Sequence, residues 1–144
     1  MKLTAKGEYG VRAMVRLALN YRAGPMPLPE IARQEDISPQ FLEQIFMVLR
    51  RAGLIESVRG AHGGYGLAKP PRQIPIGDIV KALEGPIAPV DCLTEKGEAG
   101  HHACERQEAC LTRGIWEKLR DRMQEVLDDI SLEDMINLDQ EKES

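Results

Sequence analysis

Apolar residues recur along this chain first at helical steps, then in short strand-like runs, then again at helical steps. Tyr9, Ala13, Met14, Leu17 and Tyr21 share one face at 3- and 4-residue intervals, and Thr4 stands where an N-cap belongs. That predicts a first helix running to about residue 21. Gly24, Pro25 and Pro27 break it, and Pro29 suits the first turn of a short second helix over residues 29–34, with Ile31 and Ala32 inward. A tight polar turn at Glu35, Asp36 and Ile37 leads to a third helix, with Ser38 as its N-cap and Pro39 behind it.

The third helix has two distinct faces. Leu42, Ile45, Phe46 and Leu49 cluster on one side, with Phe41 at the edge. Gln40, Glu43, Gln44, Met47 and Arg51 fall within an arc on the other. A short helix, a tight turn and a longer helix with an exposed Gln/Glu/Arg face form the pattern of a helix-turn-helix, whose second helix enters the major groove. An ordinary amphipathic pair with a solvated face has the same pattern. The next residues separate the two readings. Gly53 ends the helix as a C′ residue, residues 54–58 and 65–68 read as strands, and a glycine-rich tip over residues 59–64, carrying Arg59 and His62, joins them. A hairpin directly after a helix-turn-helix is a wing, and Arg59 on it can reach a minor groove. A phosphate-binding loop would lead from strand to helix and carry Gly-Lys-Ser/Thr, and this one does neither.

After Pro70, Pro71 and Pro75, residues 76–83 predict a short helix burying Ile76, Ile79, Val80 and Leu83, closed by Gly85 and Pro86. From Thr112 onward Ile115, Trp116, Leu119, Met123, Val126, Leu127 and Ile130 form an apolar stripe over four turns. Such a stripe on a long helix beyond a complete small domain needs a cover. A matching helix from a second subunit is the economical one, with Trp116, Leu119, Met123, Val126, Leu127 and Ile130 at the interface. Ser131 caps a last short helix, and the charged end over residues 139–144 is expected to fray. The fold class expected is therefore mainly α with a small β-hairpin wing. Residues 1–84 form the winged helix-turn-helix domain, 85–111 a cysteine-bearing loop, and 112–138 the dimerisation helix with a short terminal helix.

Charge adds to the picture. The chain of 144 residues has a formal net charge of −4, but residues 1–81 hold 12 Lys and Arg against 7 Asp and Glu, a balance of +5. Residues 82–144 hold 7 against 16, a balance of −9. A basic front half suits a polyanion such as double-stranded DNA. Neither a membrane-spanning run nor a signal-peptide core stands out, so a cytoplasmic location is expected, with reduced thiols. No catalytic constellation and no phosphate-binding fingerprint argue for an enzyme or a small-molecule substrate.

All three cysteines, Cys92, Cys104 and Cys110, lie in one polar segment with the spacing C-x11-C-x5-C. A free cysteine usually behaves as a small buried hydrophobe, and here there is little apolar to bury it with. Three chemistries fit. An iron–sulfur cluster takes thiolates with an occasional imidazole. A zinc site takes four closed ligands, which His101 or His102 completes as Cys3His, although no C-x2–4-C pair is present. A thiol switch needs only two reactive cysteines.

In their order, MKLTAKGEYGVRAM, SPQFLEQIFMVLRRAGLIESVRG, GAHGGYGLAK, IPIGDIVKALEG, the three cysteines and the Trp-bearing CLTRGIWEKL followed by ISLEDM are decisive. Over almost its whole length the chain resembles the IscR-type iron–sulfur regulators of the Rrf-two superfamily. The resemblance implies a dimeric winged-helix transcription factor acting at roughly palindromic operators, with cluster occupancy setting site choice. It implies ligands at Cys92, Cys104 and Cys110, base-reading roles for Ser38, Glu43 and Gln44, and Arg59 at the wing. The cluster expected is 2Fe–2S rather than 4Fe–4S. Two departures mark this chain: the first cysteine gap is eleven residues where such proteins have about five, and Arg113 stands where they use a His. His101, His102 and Glu8 are the candidates for the fourth ligand. A nitric-oxide- or redox-sensing repressor of the same superfamily, or a zinc- or thiol-containing regulator without a cluster, are the alternatives.

Overall fold

The computed structural model describes residues 3–89 and 111–143. Helix α1, Ala5–Leu19, buries Gly7, Gly10, Ala13, Met14, Leu17 and Ala18. It stops two residues short of the expected end. Asn20 leaves helical geometry and donates through its side chain to the Gly24 carbonyl at 2.9 Å, turning the chain toward Pro25. Tyr21 therefore sits in a short 3-10 turn and is exposed rather than on the buried face.

Helix α2, Leu28–Glu35, has Pro29 in its first turn and points Ile31 and Ala32 inward, one residue longer at each end than the pattern predicts. Asp36 closes it in the left-handed region at φ 53°, and the Ile37 N–H donates to the Ala32 carbonyl at 2.9 Å. Helix α3, Pro39–Arg51, begins at Ser38, whose hydroxyl accepts from the Phe41 N–H at 3.2 Å as an N-cap should. Leu42, Ile45, Phe46 and Leu49 are its buried stripe.

Strands β1, Ile55–Val58, and β2, Gly64–Leu67, pair antiparallel with Val58 opposite Gly64 and Ile55 opposite Leu67. The hairpin gains a partner that the hydrophobic pattern does not announce. Met26 and Tyr65 exchange backbone hydrogen bonds of 2.9 and 2.7 Å, so the link before α2 lies against β2. Gly64 makes this approach possible. A side chain there would put its Cβ 2.2 Å from the Met26 carbonyl oxygen.

Helix α4, Ile76–Glu84, buries Ile76, Ile79, Val80 and Leu83 as expected. Beyond the undescribed segment, α5, Arg113–Asp129, and α6, Leu132–Glu143, return the chain to the amino-terminal core. The Leu132 N–H donates to the Ile74 carbonyl at 3.0 Å, and the Ile76 N–H to the Ile130 carbonyl at 2.7 Å. Leu132 is fully buried in the same core as Met14, Ile31, Phe46 and Ile79. Ser131 and Asp134 bond each other's backbone N–H at 3.2 and 2.9 Å, a capping box that starts α6. The helix continues through Glu143, so residues 139–143 are helical where fraying is expected. Met135 and Ile136 pack on the core and hold its first half in place.

The long stripe divides. Leu127 and Ile130 pack on their own chain's core and Met123 is half-buried, whereas Ile115, Leu119 and Val126 are 57%, 44% and 58% exposed. Only the outer part of the stripe is thus left uncovered by its own chain among the described residues. Its carboxy-terminal end is taken by α4 and the connection to α6.

Candidate nucleic-acid interface

The segment Ser38–Arg51 folds with its candidate reading face exposed among the described residues. With the opposite stripe fully buried, Gln40, Glu43, Gln44 and Arg51 are exposed, and Met47 is 53% exposed among them. Ser38 is exposed at the helix start, its hydroxyl already engaged by Phe41. Arg50, Arg51, Arg59 and Lys69 are exposed on the last turn of α3 and on the hairpin, and His62 is exposed at the hairpin tip. The face thus combines long amide and carboxylate side chains that can match base edges with cations that can meet phosphates.

Two contacts hold this face at a fixed attitude to α1, and sequence reasoning missed both roles. Glu35, at the end of α2, accepts from Arg16 Nε at 2.8 Å and from Arg12 Nε at 3.4 Å, and the Glu35 backbone carbonyl also accepts from Arg12. The carboxylate is only 12% exposed, so these ion pairs are better shielded from solvent than ordinary surface pairs. Tyr9 meets Phe41 edge-to-face at 5.8 Å between ring centres, and Arg12 stacks over Tyr9 at 5.2 Å. The only foreshadowing signal was a pair of arginines four residues apart on α1. On α2, Glu30 is held below its usual carboxylate range, first by a hydrogen bond from Arg33 and then by one from Gln34.

The three cysteines, His101 and His102 lie outside the described residues, as does any ligand set built from them. Glu8 is described and stands exposed on the first turn of α1, next to Gly7. Arg113 donates from Nε to Glu117 at 2.7 Å on the first turn of α5.

A helix-turn-helix with an exposed reading face and a glycine-tipped β-hairpin behind it defines a winged helix-turn-helix transcriptional regulator. Residues 3–138 match the family model of Rrf2, described as an iron-dependent transcriptional regulator. The chain belongs to the Rrf2 family. It is 42% identical over 135 residues to the HTH-type transcriptional regulator CymR of Bacillus subtilis, covering 94% of this chain and 89% of that protein. The solved structure of that protein, described as the global cysteine regulator of its organism, superposes with a TM-score of 0.78 over 96% of this chain and 98% of the other, at 40% identity. The chain is 40% identical over 137 residues to the HTH-type transcriptional regulator IscR of Escherichia coli, covering 95% of this chain and 81% of that protein. The solved structure of T. potens IscR gives a TM-score of 0.81 at 40% identity, covering all of this chain and 92% of the other. Both of these relatives are described as HTH-type transcriptional regulators. Among the described residues no helix is long and apolar enough to cross a membrane.

Proposed function

We propose that the chain is a homodimeric repressor that binds roughly palindromic double-stranded DNA, with its choice of operator set by an iron–sulfur cluster in the segment of residues 91–110. The observation that carries the DNA part is the exposed Gln40, Glu43, Gln44, Met47 and Arg51 face with exposed Arg50, Arg59 and Lys69 near it in the chain. Gln40 and Gln44 are suited to adenine edges and Glu43 to cytosine N4, while Arg51 meets phosphate and Arg59 the minor groove, with Ser38 and His62 flanking. Exposed Ile115, Leu119 and Val126, with half-buried Trp116 and Met123, support pairing of two α5 helices across a two-fold axis.

The cluster part rests on the donor set and on the resemblance to IscR-type regulators. Cys92, Cys104 and Cys110 offer three soft thiolates, and His101 or His102 completes the set within the segment, with Glu8 as the carboxylate alternative. Arg113 has no lone pair to offer a metal. Bound there, the cluster supplies a reversible, oxidant- and iron-sensitive crosslink to a segment poor in apolar side chains. We favour the 2Fe–2S form and iron–sulfur assembly genes as targets. Glu43 is the selective element: facing base edges, its carboxylate repels acceptor-rich sites, so it discriminates among operators rather than adding affinity.

Protein purified without oxygen tests this directly. Brown protein with equal iron and acid-labile sulfide, lost together in Cys92→Ser, supports the cluster. Colourless protein with bound zinc selects the structural site. Metal-free protein selects a second reading that the similarity to CymR favours, a regulator of cysteine metabolism acting without a cluster. Replacing His101 and His102 together by Ala alters the visible spectrum if either is a ligand. A spectrum that changes only with Glu8→Ala gives the fourth position to Glu8.

A further inference from the structure

A polar cleft of about 480 Å3 opens between the end of α1, the Pro70 and Pro71 step, and one face of α6. None of the reading-face or wing residues lines it. Its charged walls are Arg22, just beyond α1, Arg72, in the 3-10 turn after Pro70, and Glu133 on α6. Ile136, Asn137 and Gln140 follow Glu133 at helical steps of three, one and three, which turns all four toward the same space.

The charges in this cleft do not neutralise one another. Arg22, Arg72 and Glu133 form no ion pair and no side-chain hydrogen bond among the described residues, although guanidinium and carboxylate line one cleft. Opposite charges that share a space without touching suit a bridging molecule that carries both signs. Two guanidiniums present planar pairs of donors matched to a carboxylate, while an ammonium group needs the acceptors that Glu133, Asn137 and Gln140 provide. A bare inorganic anion would satisfy the arginines but face the Glu133 carboxylate, which disfavours it. The cleft volume falls within the usual range of small-molecule sites, about 300–1,000 Å3, and buried Pro71 with half-buried Ile136 supplies an apolar wall.

We propose that this cleft binds a free α-amino acid, its carboxylate between Arg22 and Arg72 and its ammonium group on Glu133. Occupancy joins α6 to the end of α1 and to the link into α4, so an amino acid clamps the carboxy-terminal helix onto the DNA-reading unit. None of the described residues that line this site belongs to the cysteine segment, and no ligand of a cluster is needed to form it.

The test is calorimetric titration of the full chain with each of the twenty L-amino acids to about 10 mM, with thermal unfolding alongside. At least one should bind with a dissociation constant of about 0.1 mM or better and raise the melting temperature by about 8–13 °C at a hundredfold excess over that constant. Arg72→Ala should weaken it at least about tenfold. Glu133→Gln should weaken the amino acid to a similar degree while leaving its analogue without the amine as tight or tighter, a split that misfolding cannot produce. Unchanged far-ultraviolet circular dichroism checks both variants. The proposal is overturned if none of the twenty binds, if binding survives both variants, or if inorganic phosphate binds as well as the amino acid.

Discussion

Glu84 closes α4, yet its carboxylate serves the far end of α1. Oε1 accepts from the Thr4 N–H at 3.0 Å, from the Gly7 N–H at 3.1 Å and from the Thr4 hydroxyl. It satisfies N–H groups that open α1 and puts negative charge at the positive pole of that helix. Thr4 therefore supplies no side-chain cap, although it stands at the N-cap position. Gly7 permits the approach. A Cβ there would lie 2.3 Å from Glu84 Oε1, and its three nearest atoms would all belong to Glu84. This geometry makes the effect of Gly7→Ala depend on Glu84 in sign as well as size.

Losing an N-terminal cap built from charge-assisted hydrogen bonds costs about 2 kcal/mol. Replacing a helical Gly by Ala gains about 1 kcal/mol where space allows. Gly7→Ala alone should displace the carboxylate, lose the cap and keep the helical gain, for a net loss of about 1 kcal/mol. Glu84→Ala alone should lose about 2 kcal/mol. In the Glu84→Ala background Gly7→Ala should be stabilising, so the double variant loses only about 1 kcal/mol. The coupling is then about 2 kcal/mol, measured by urea unfolding of the four proteins in one buffer without DNA. Melting temperatures should move by about 3–5 °C for each kcal/mol. Additive losses, or Gly7→Ala destabilising in both backgrounds, would refute the reasoning.

Three other outcomes are expected. Leu132→Ala should cost about 2–5 kcal/mol in unfolding experiments, because Leu132 is fully buried and its removal leaves a cavity where α6 meets the core; a loss below about 1 kcal/mol would mean that α6 is not integral to the fold. Arg59→Ala should weaken operator and non-operator DNA alike and lower the slope of log K against log salt by about one, as read in fluorescence anisotropy titrations. Glu43→Ala should leave affinity for the preferred operator nearly intact and raise affinity for mismatched sites, and a uniform loss across a panel of sequences would remove the selective role.

The helix-turn-helix was legible because two independent periodicities agree there. Leu42, Ile45, Phe46 and Leu49 repeat at the helical step, and Ser38 and Pro39 mark the start of the same helix, so local and tertiary preferences coincide. The wing was legible from its glycines and turn chemistry, to within a residue at each strand end. Met26 was not, because pairing by backbone hydrogen bonds with Tyr65 leaves no side-chain periodicity. The roles of Glu35 and Glu84 were not legible for a related reason. Their partners lie 19 to 23 and 77 to 80 residues away, and charge patterning sees only neighbours three or four apart. The terminal helix was cut short because its outer half is charged, although Leu132 anchors its start in the core.

The division of the apolar stripe bears on how the two halves of the chain communicate. A helix joined to the rest only through the cysteine segment would report that segment's state at one end alone. Here α5 is also held at its far end, where the Ile130 carbonyl accepts from Ile76 at the start of α4. The last residue of α4, Glu84, holds the start of α1, and α1 in turn holds the reading unit through Arg12, Arg16 and Tyr9. In sequence, residues 90–110 thus follow α4 and precede a helix whose far end is held at the start of α4. Leu127 and Ile130 pack on the core and keep the far end of α5 from swinging free. The connection consists of hydrogen bonds and packing, and its energetic weight at the α1 end is what the Gly7 and Glu84 variants measure.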